Sequence, residues 1–124
     1  MTDLMIDDPP AKRILVVEDE VWLAIELEDA LREGGFDVIG PAASVRQALS
    51  LLNDERPDAA VLDVTLGGEK VTPVALLLKS IGIPFVLASA SDAAELARHD
   101  CLADARNLGK PTDLVKLVEV VRGL

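Results

Sequence analysis

The stretch Ile14-Leu15-Val16-Val17-Glu18-Asp19-Glu20 decides how the rest of the chain is read. Four apolar residues, three of them β-branched, end abruptly in three acids. A short uninterrupted run of this kind predicts a strand buried on both faces, as in a parallel sheet. From Glu20 the period changes. Leu23, Leu27, Ala30 and Leu31 recur at helical spacing, and Gly34-Gly35 supplies a stop. Downstream the alternation repeats. Phe36 to Ile39 predicts a second strand, closed by Gly40-Pro41. Ser44 is placed to N-cap a helix carrying Val45, Ala48, Leu49 and Leu52. Asp58 to Leu62 predicts a third strand that runs into Asp63. Val71 to Lys79 reads as a helix with Pro73 in its first turn. Ile83 to Ala88 is a fourth strand, Asp92 to Arg98 a short helix, and Ala105 to Leu108 a fifth strand. Asp113 to Val121 closes the series, with Leu114, Leu117, Val118 and Val121 on one helical face. Strands alternating with helices in this way predict an α/β fold built on a parallel sheet. Residues 1–11, with three aspartates and Pro9-Pro10, read as a flexible tail before one domain over residues 12–124.

Composition narrows the class of function. With 124 residues, half of them hydrophobic, the chain can build a core without staples. Aromatics are 2 %, so that core is aliphatic. The charge balance is 12 − 22 = −10. A surface this negative repels phosphate backbones and anionic lipid, so neither nucleic acid nor a membrane is expected as a partner. Cys101 is the single cysteine, which excludes an intrachain disulfide and fits a reducing, cytoplasmic setting. No apolar run approaches the roughly 20 residues a membrane helix needs.

The polar residues are informative by position. The first strand ends at Glu18-Asp19, the third at Asp63 and the fourth at Ser89, and Lys110 follows the fifth. In an open parallel sheet these ends share one edge, where ligands bind. If the first and third strands are neighbours, about 4.8 Å apart, Asp19 and Asp63 can reach one small cation. Lys110 can reach Asp63 along its flexible stem. Carboxylates packed this closely repel, by roughly 3 kcal/mol per pair at 5 Å and an effective dielectric of 20. A raised pKa or a divalent cation relieves the strain, and rigid carboxylate oxygens suit Mg²⁺. A carboxylate beside Mg²⁺ and an ammonium can accept a phosphoryl group, because the cations offset the incoming negative charge. Ser89 can hydrogen-bond a phosphoryl oxygen.

Taken together, "ILVVEDE", "AAVLDVTL", "IPFVLASA" and "GKP", in this order and at these strand ends, resemble the receiver domain of two-component response regulators over about Lys12 to Leu124. The resemblance implies a flavodoxin-like, doubly wound, five-stranded parallel sheet of order 2-1-3-4-5 with helices on both faces. It implies that Asp63 is the phosphoacceptor. Glu18, Asp19 and Asp63 hold Mg²⁺ with the backbone carbonyl of Thr65, Ser89 follows the phosphoryl group, and Lys110 is its counter-cation. It implies a sensor histidine kinase as phosphodonor and a downstream protein as target, with no catalysis beyond the chain's own phosphorylation and dephosphorylation. The "PFVLASAS" stretch also looks like the strand-four motif of stand-alone regulators from alpha-proteobacteria. With no DNA-binding domain after Leu124, output through protein contacts is expected, from a monomer or weak dimer. A phosphate sink, a relay to a histidine phosphotransfer protein and a non-phosphorylated binding module are the alternatives.

The sequence also departs from the family pattern. Asn107 stands where receivers carry an aromatic residue three before the lysine, and Thr112 replaces the usual Phe after Lys-Pro. The Lys110-Pro111 bond is expected to be cis. A phosphatase of the haloacid dehalogenase type also uses an aspartyl phosphate, but needs an aspartate where this chain has Thr65. Gly67-Gly68 opens no phosphate loop, since no G-K-[ST] follows. Trp22 lies off the helical core stripe and is read either as a core residue or as a neighbour of the acidic pocket. His99 is expected at an exposed helix end, and Cys101 is expected to be inert.

Overall fold

The computed structural model describes residues 10–124. The expected tail therefore falls, for residues 1–9, outside the described residues. The elements in chain order are β1 (Arg13–Val17), α1 (Val21–Glu33), β2 (Asp37–Ala42), α2 (Val45–Asp54), β3 (Ala59–Leu62), β4 (Thr65–Leu66) and β5 (Glu69–Lys70). They continue with α3 (Thr72–Ser80), β6 (Phe85–Leu87), α4 (Ala93–Leu96), α5 (Asp100–Ala103) and α6 (Leu114–Arg122).

The main sheet is parallel, in the order β2-β1-β3-β6. Side chains alternate across it, as the period of two requires. Leu15, Val17, Ala60, Leu62 and Leu87 face one layer, packed with Val45, Ala48, Val74 and Leu78 of α2 and α3. Ile14, Val16, Val61 and Val86 face the other, packed with Leu27 and Leu31 of α1 and Leu117 and Val121 of α6. Both faces are thus covered, which explains why the strands read as continuous apolar runs.

Three expectations need correction. The fifth strand is not a strand: Leu87 and Asn107 form one isolated parallel bridge, so the sheet has four strands. The reason is local. Beyond that bridge the N–H and C=O of Ser89 bond to the Asn107 side chain rather than to a neighbouring backbone. Second, β2 does not stop at Gly40-Pro41 but runs through it to Ala42, with a register shift against β1. It is an edge strand, where a missing N–H is tolerated, and Gly40 takes a φ of +95° that suits glycine. Third, the helix expected over Asp92 to Arg98 is the shorter α4, and a further short helix that was not expected, α5, follows it. Extended backbone at His99 (φ −120°, ψ 110°) separates them. The break turns Cys101 and Leu102 into the core behind α3.

Other expectations hold. Ser44 Oγ accepts from the Gln47 N–H at 3.1 Å, capping α2. Asp113 does the same for α6 through Lys116. Pro73 sits in the first turn of α3, and the Lys110-Pro111 peptide is cis. Trp22 is 78 % exposed on α1 and is no core residue. No helix among the described residues is long and apolar enough to cross a membrane.

Candidate phosphoacceptor site

Register places the acids. Val17 pairs with Leu62 across β1 and β3, so the chain leaves both strands side by side into Glu18-Asp19 and Asp63. The Asp63 N–H still donates to the Val17 carbonyl at 2.9 Å, which fixes its backbone to β1. One carboxylate oxygen from each of Glu18, Asp19 and Asp63 lies within 4.8 Å of the others. Glu18 and Asp63 are buried and Asp19 is half-buried. The three carboxylates expected to share a cation are therefore brought together.

Lys110 supplies the countercharge. Its Nζ lies 2.8 Å from Asp63 Oδ2 and 3.0 Å from Glu18 Oε1. The turn that carries it is fixed by Gly109 at φ +84° and by the Thr112 hydroxyl donating to the Gly109 carbonyl at 2.7 Å. Burial alone would lower the Lys110 pKa. The hydrogen bonds it donates to Asp63 and Glu18 outweigh it, and the ammonium is held above its ordinary value. The Glu18 pKa is raised as well, which for a carboxylate disfavours the charged form. Burial raises its pKa foremost and the Asp63 charge adds to this, against the lowering by the Glu20 N–H and Lys110. Glu18 is 2 % exposed, so it has little water to fall back on. Among the described residues no buried side-chain polar atom lacks a partner.

The other oxygens are held by backbone. Asp63 Oδ1 accepts from the Val64 N–H at 2.7 Å. Asp19 Oδ2 accepts from the Gly67 N–H at 2.9 Å. That amide is presented by a feature missing from the sequence reading, an antiparallel hairpin of β4 and β5. Its signal was legible: Gly67-Gly68 between two short segments, both at positive φ, is a two-residue hairpin turn. Thr65 opens this hairpin, paired with Lys70. Lys70 Nζ contacts Thr65 Oγ1 at 3.1 Å and Glu95 of α4 at 2.6 Å.

Ser89 is buried at the end of β6, one strand over from Asp63. Its hydroxyl is engaged with Ser91, accepting from the Ser91 N–H and contacting Ser91 Oγ, both at 3.0 Å. No hydrogen bond joins it to Asp63 among the described residues. His99, expected to be exposed, is instead half-buried where it precedes α5, and Cys101 is a buried free thiol.

An open parallel sheet carries an acid cluster and one partly buried lysine at its carboxyl edge, the site of an α/β phosphate- or metal-binding domain, and comparison with known proteins makes the assignment specific. The family model for the response regulator receiver domain matches residues 14–122, so the chain belongs to that family. It is 29 % identical over 106 residues to the transcriptional regulatory protein PdtaR of Mycobacterium tuberculosis, which covers 85 % of this chain and 49 % of the relative. It is 40 % identical over 86 residues to the DNA-binding response regulator MtrA of Mycobacterium bovis, covering 67 % of this chain and 36 % of the relative. The chain thus spans half or less of the length of these relatives. A putative response regulator from Chloroflexus aurantiacus superposes with a TM-score of 0.79 at 27 % identity, covering 91 % and 96 % of the two chains. A CheY-like receiver domain protein from Methanospirillum hungatei shares the fold, with a TM-score of 0.80 at 22 % identity over 91 % and 92 %. Phosphorylation and magnesium binding at an acidic pocket are features of this family, whose members interact with histidine kinases or other proteins.

Proposed function

We propose that the chain is a phosphoacceptor of a two-component system, taking phosphate from a histidine kinase onto Asp63 and signalling through protein contacts. The observation that carries this reading is Lys110 Nζ seated on Asp63 and Glu18 at 2.8 and 3.0 Å, beside the carboxylate of Asp19. In the transfer, an Asp63 carboxylate oxygen attacks phosphorus, the N–P bond of the donor phosphohistidine breaks, and the imidazole leaves with that electron pair. Lys110 then turns its ammonium from the carboxylate to the phosphoryl oxygens. Ser89 gives up its contact with Ser91 and donates its hydroxyl to the same group. The oxygen-only donor set of Glu18, Asp19, Asp63 and the Thr65 carbonyl suits a hard cation, and Mg²⁺ held there would neutralise the phosphoryl charge. Water then hydrolyses the acyl phosphate, restoring the Asp63 carboxylate and releasing inorganic phosphate, so the chain turns over no substrate apart from itself.

The test is intact-mass measurement after incubation with acetyl phosphate. Wild type gains one phosphoryl group in Mg²⁺ and none in excess EDTA, and Asp63→Asn gains none in either. Equal labelling of the two proteins contradicts the assignment.

A further inference from the structure

Asn107 spends its whole side chain on backbone. Oδ1 accepts from the N–H groups of Ser89 and Gly109, both at 3.0 Å. Nδ2 donates to the carbonyls of Ser89 at 3.1 Å and Ser91 at 3.2 Å. A primary amide offers two donors and two acceptor positions, and all four are in use. The Ser89 peptide groups are met by the amide as they would be by a neighbouring strand, one step beyond the single bridge of Leu87 and Asn107.

The two segments joined in this way matter to the site. One is the turn after β6, which carries Ser89. The other is Gly109, whose next residue is Lys110, itself on Asp63 and Glu18. With its N–H and C=O both held, the Ser89 backbone cannot shift relative to Gly109 without breaking the amide's bonds. Its hydroxyl is held by Ser91 alone and can rotate about χ1.

We infer that Asn107 is a positioning residue of the Asp63 site: it fixes the Ser89 backbone against the Lys110 turn, so that hydroxyl and ammonium meet one phosphoryl group together. This rests on the phosphoacceptor reading above. The chemistry demands asparagine. Aspartate keeps the acceptor but turns a second oxygen toward the carbonyls of Ser89 and Ser91. Leucine has similar bulk and makes none of the four bonds.

The experiment compares wild type, Asn107→Asp, Asn107→Leu and the distant control Ser44→Ala, which removes a helix cap. Mg²⁺ affinity, beryllofluoride affinity at saturating Mg²⁺, and amide exchange of Ser89 and Gly109 in the metal-free protein are measured for each. Both Asn107 variants are expected to keep Mg²⁺ affinity, because Glu18, Asp19 and Asp63 are untouched. They are expected to bind beryllofluoride about 10- to 100-fold more weakly, the usual effect of losing a group that orients site residues. Exchange at Ser89 and Gly109 rises in Asn107→Leu. Ser44→Ala, destabilised elsewhere, binds beryllofluoride as wild type does. If Asn107→Leu does not fold, the near-isosteric Asn107→Asp decides. Wild-type beryllofluoride affinity in a folded Asn107 variant overturns the inference alone. Failure of wild type to bind beryllofluoride overturns the phosphoacceptor reading and the inference with it.

Discussion

Glu18 shows how much a single side chain is asked to tolerate at this site. It is buried beside another acid, and only the Glu20 N–H and Lys110 offset that burial. A divalent cation bound by the native state alone relieves the repulsion and adds stability by mass action, about 2.7 kcal/mol at 100 times its dissociation constant. Asp19 is the least buried of the three acids, and its removal should abolish this gain. The expected outcome is a melting temperature that rises with Mg²⁺ in wild type and stays flat in Asp19→Ala. An equal rise in both would place the metal elsewhere. At the rim, Glu95 titrates below the ordinary carboxylate range because Lys70 hydrogen-bonds it. A depressed carboxylate stabilises the fold above its unfolded pKa, and that contribution is lost as pH falls through the folded value. Both partners are more than a third exposed, so the stability change is small. The sharper readout is the NMR titration of Glu95 itself, which returns to the ordinary range in Lys70→Ala. An unchanged midpoint would mean that the ion pair does not persist in solution.

At the scale of the element, backbone demands outrank side-chain preferences. Ser44→Ala removes one capping bond from α2 and should cost about 1 kcal/mol. Gly40→Ala should cost more, about 2 kcal/mol or above. Gly40 sits at φ +95°, and an added Cβ would meet the Ala42 nitrogen at 2.7 Å and the Val16 carbonyl oxygen at 3.0 Å. Urea denaturation of both variants checks the order, and a milder effect for Gly40→Ala would contradict the bend seen in β2. The same residues mark where sequence reading stops. The centres of β1, β3, α1, α2 and α6 were legible because apolar period and caps agree there. The continuation of β2 past Gly40-Pro41 was not, because edge position is a property of the whole sheet and not of the dipeptide. The fifth strand was lost for a related reason. Ala105 to Leu108 makes only the one bridge, and Asn107 answers the Ser89 peptide with its side chain. The separate helix α5 places Leu102 in the core, a placement that local helix signals do not report.

Across the whole molecule, the site is a consequence of topology. Residues as far apart in sequence as Glu18 and Asp63 meet because every strand of the main sheet delivers its carboxyl end to one edge. That is why Glu18, Asp19 and Asp63 could be named from strand ends, whereas Lys110 arrives on the turn after the single Leu87–Asn107 bridge. Contacts that depend on turns, such as Gly67 on Asp19 and Ser91 on Ser89, could not be. The hydroxyl of Ser89 rests on Ser91, while Lys110 already occupies Asp63. Lysine, on this account, is in place before phosphate arrives, and serine joins afterwards. The central claim is that this edge directs phosphate to one residue. Its most direct test is to label the wild-type protein in Mg²⁺, trap the acyl phosphate by borohydride reduction, and map the peptides. The account predicts a single reduced residue, at position 63. Reduction at Glu18, Asp19 or any other acid, with Asp63 intact, would contradict it.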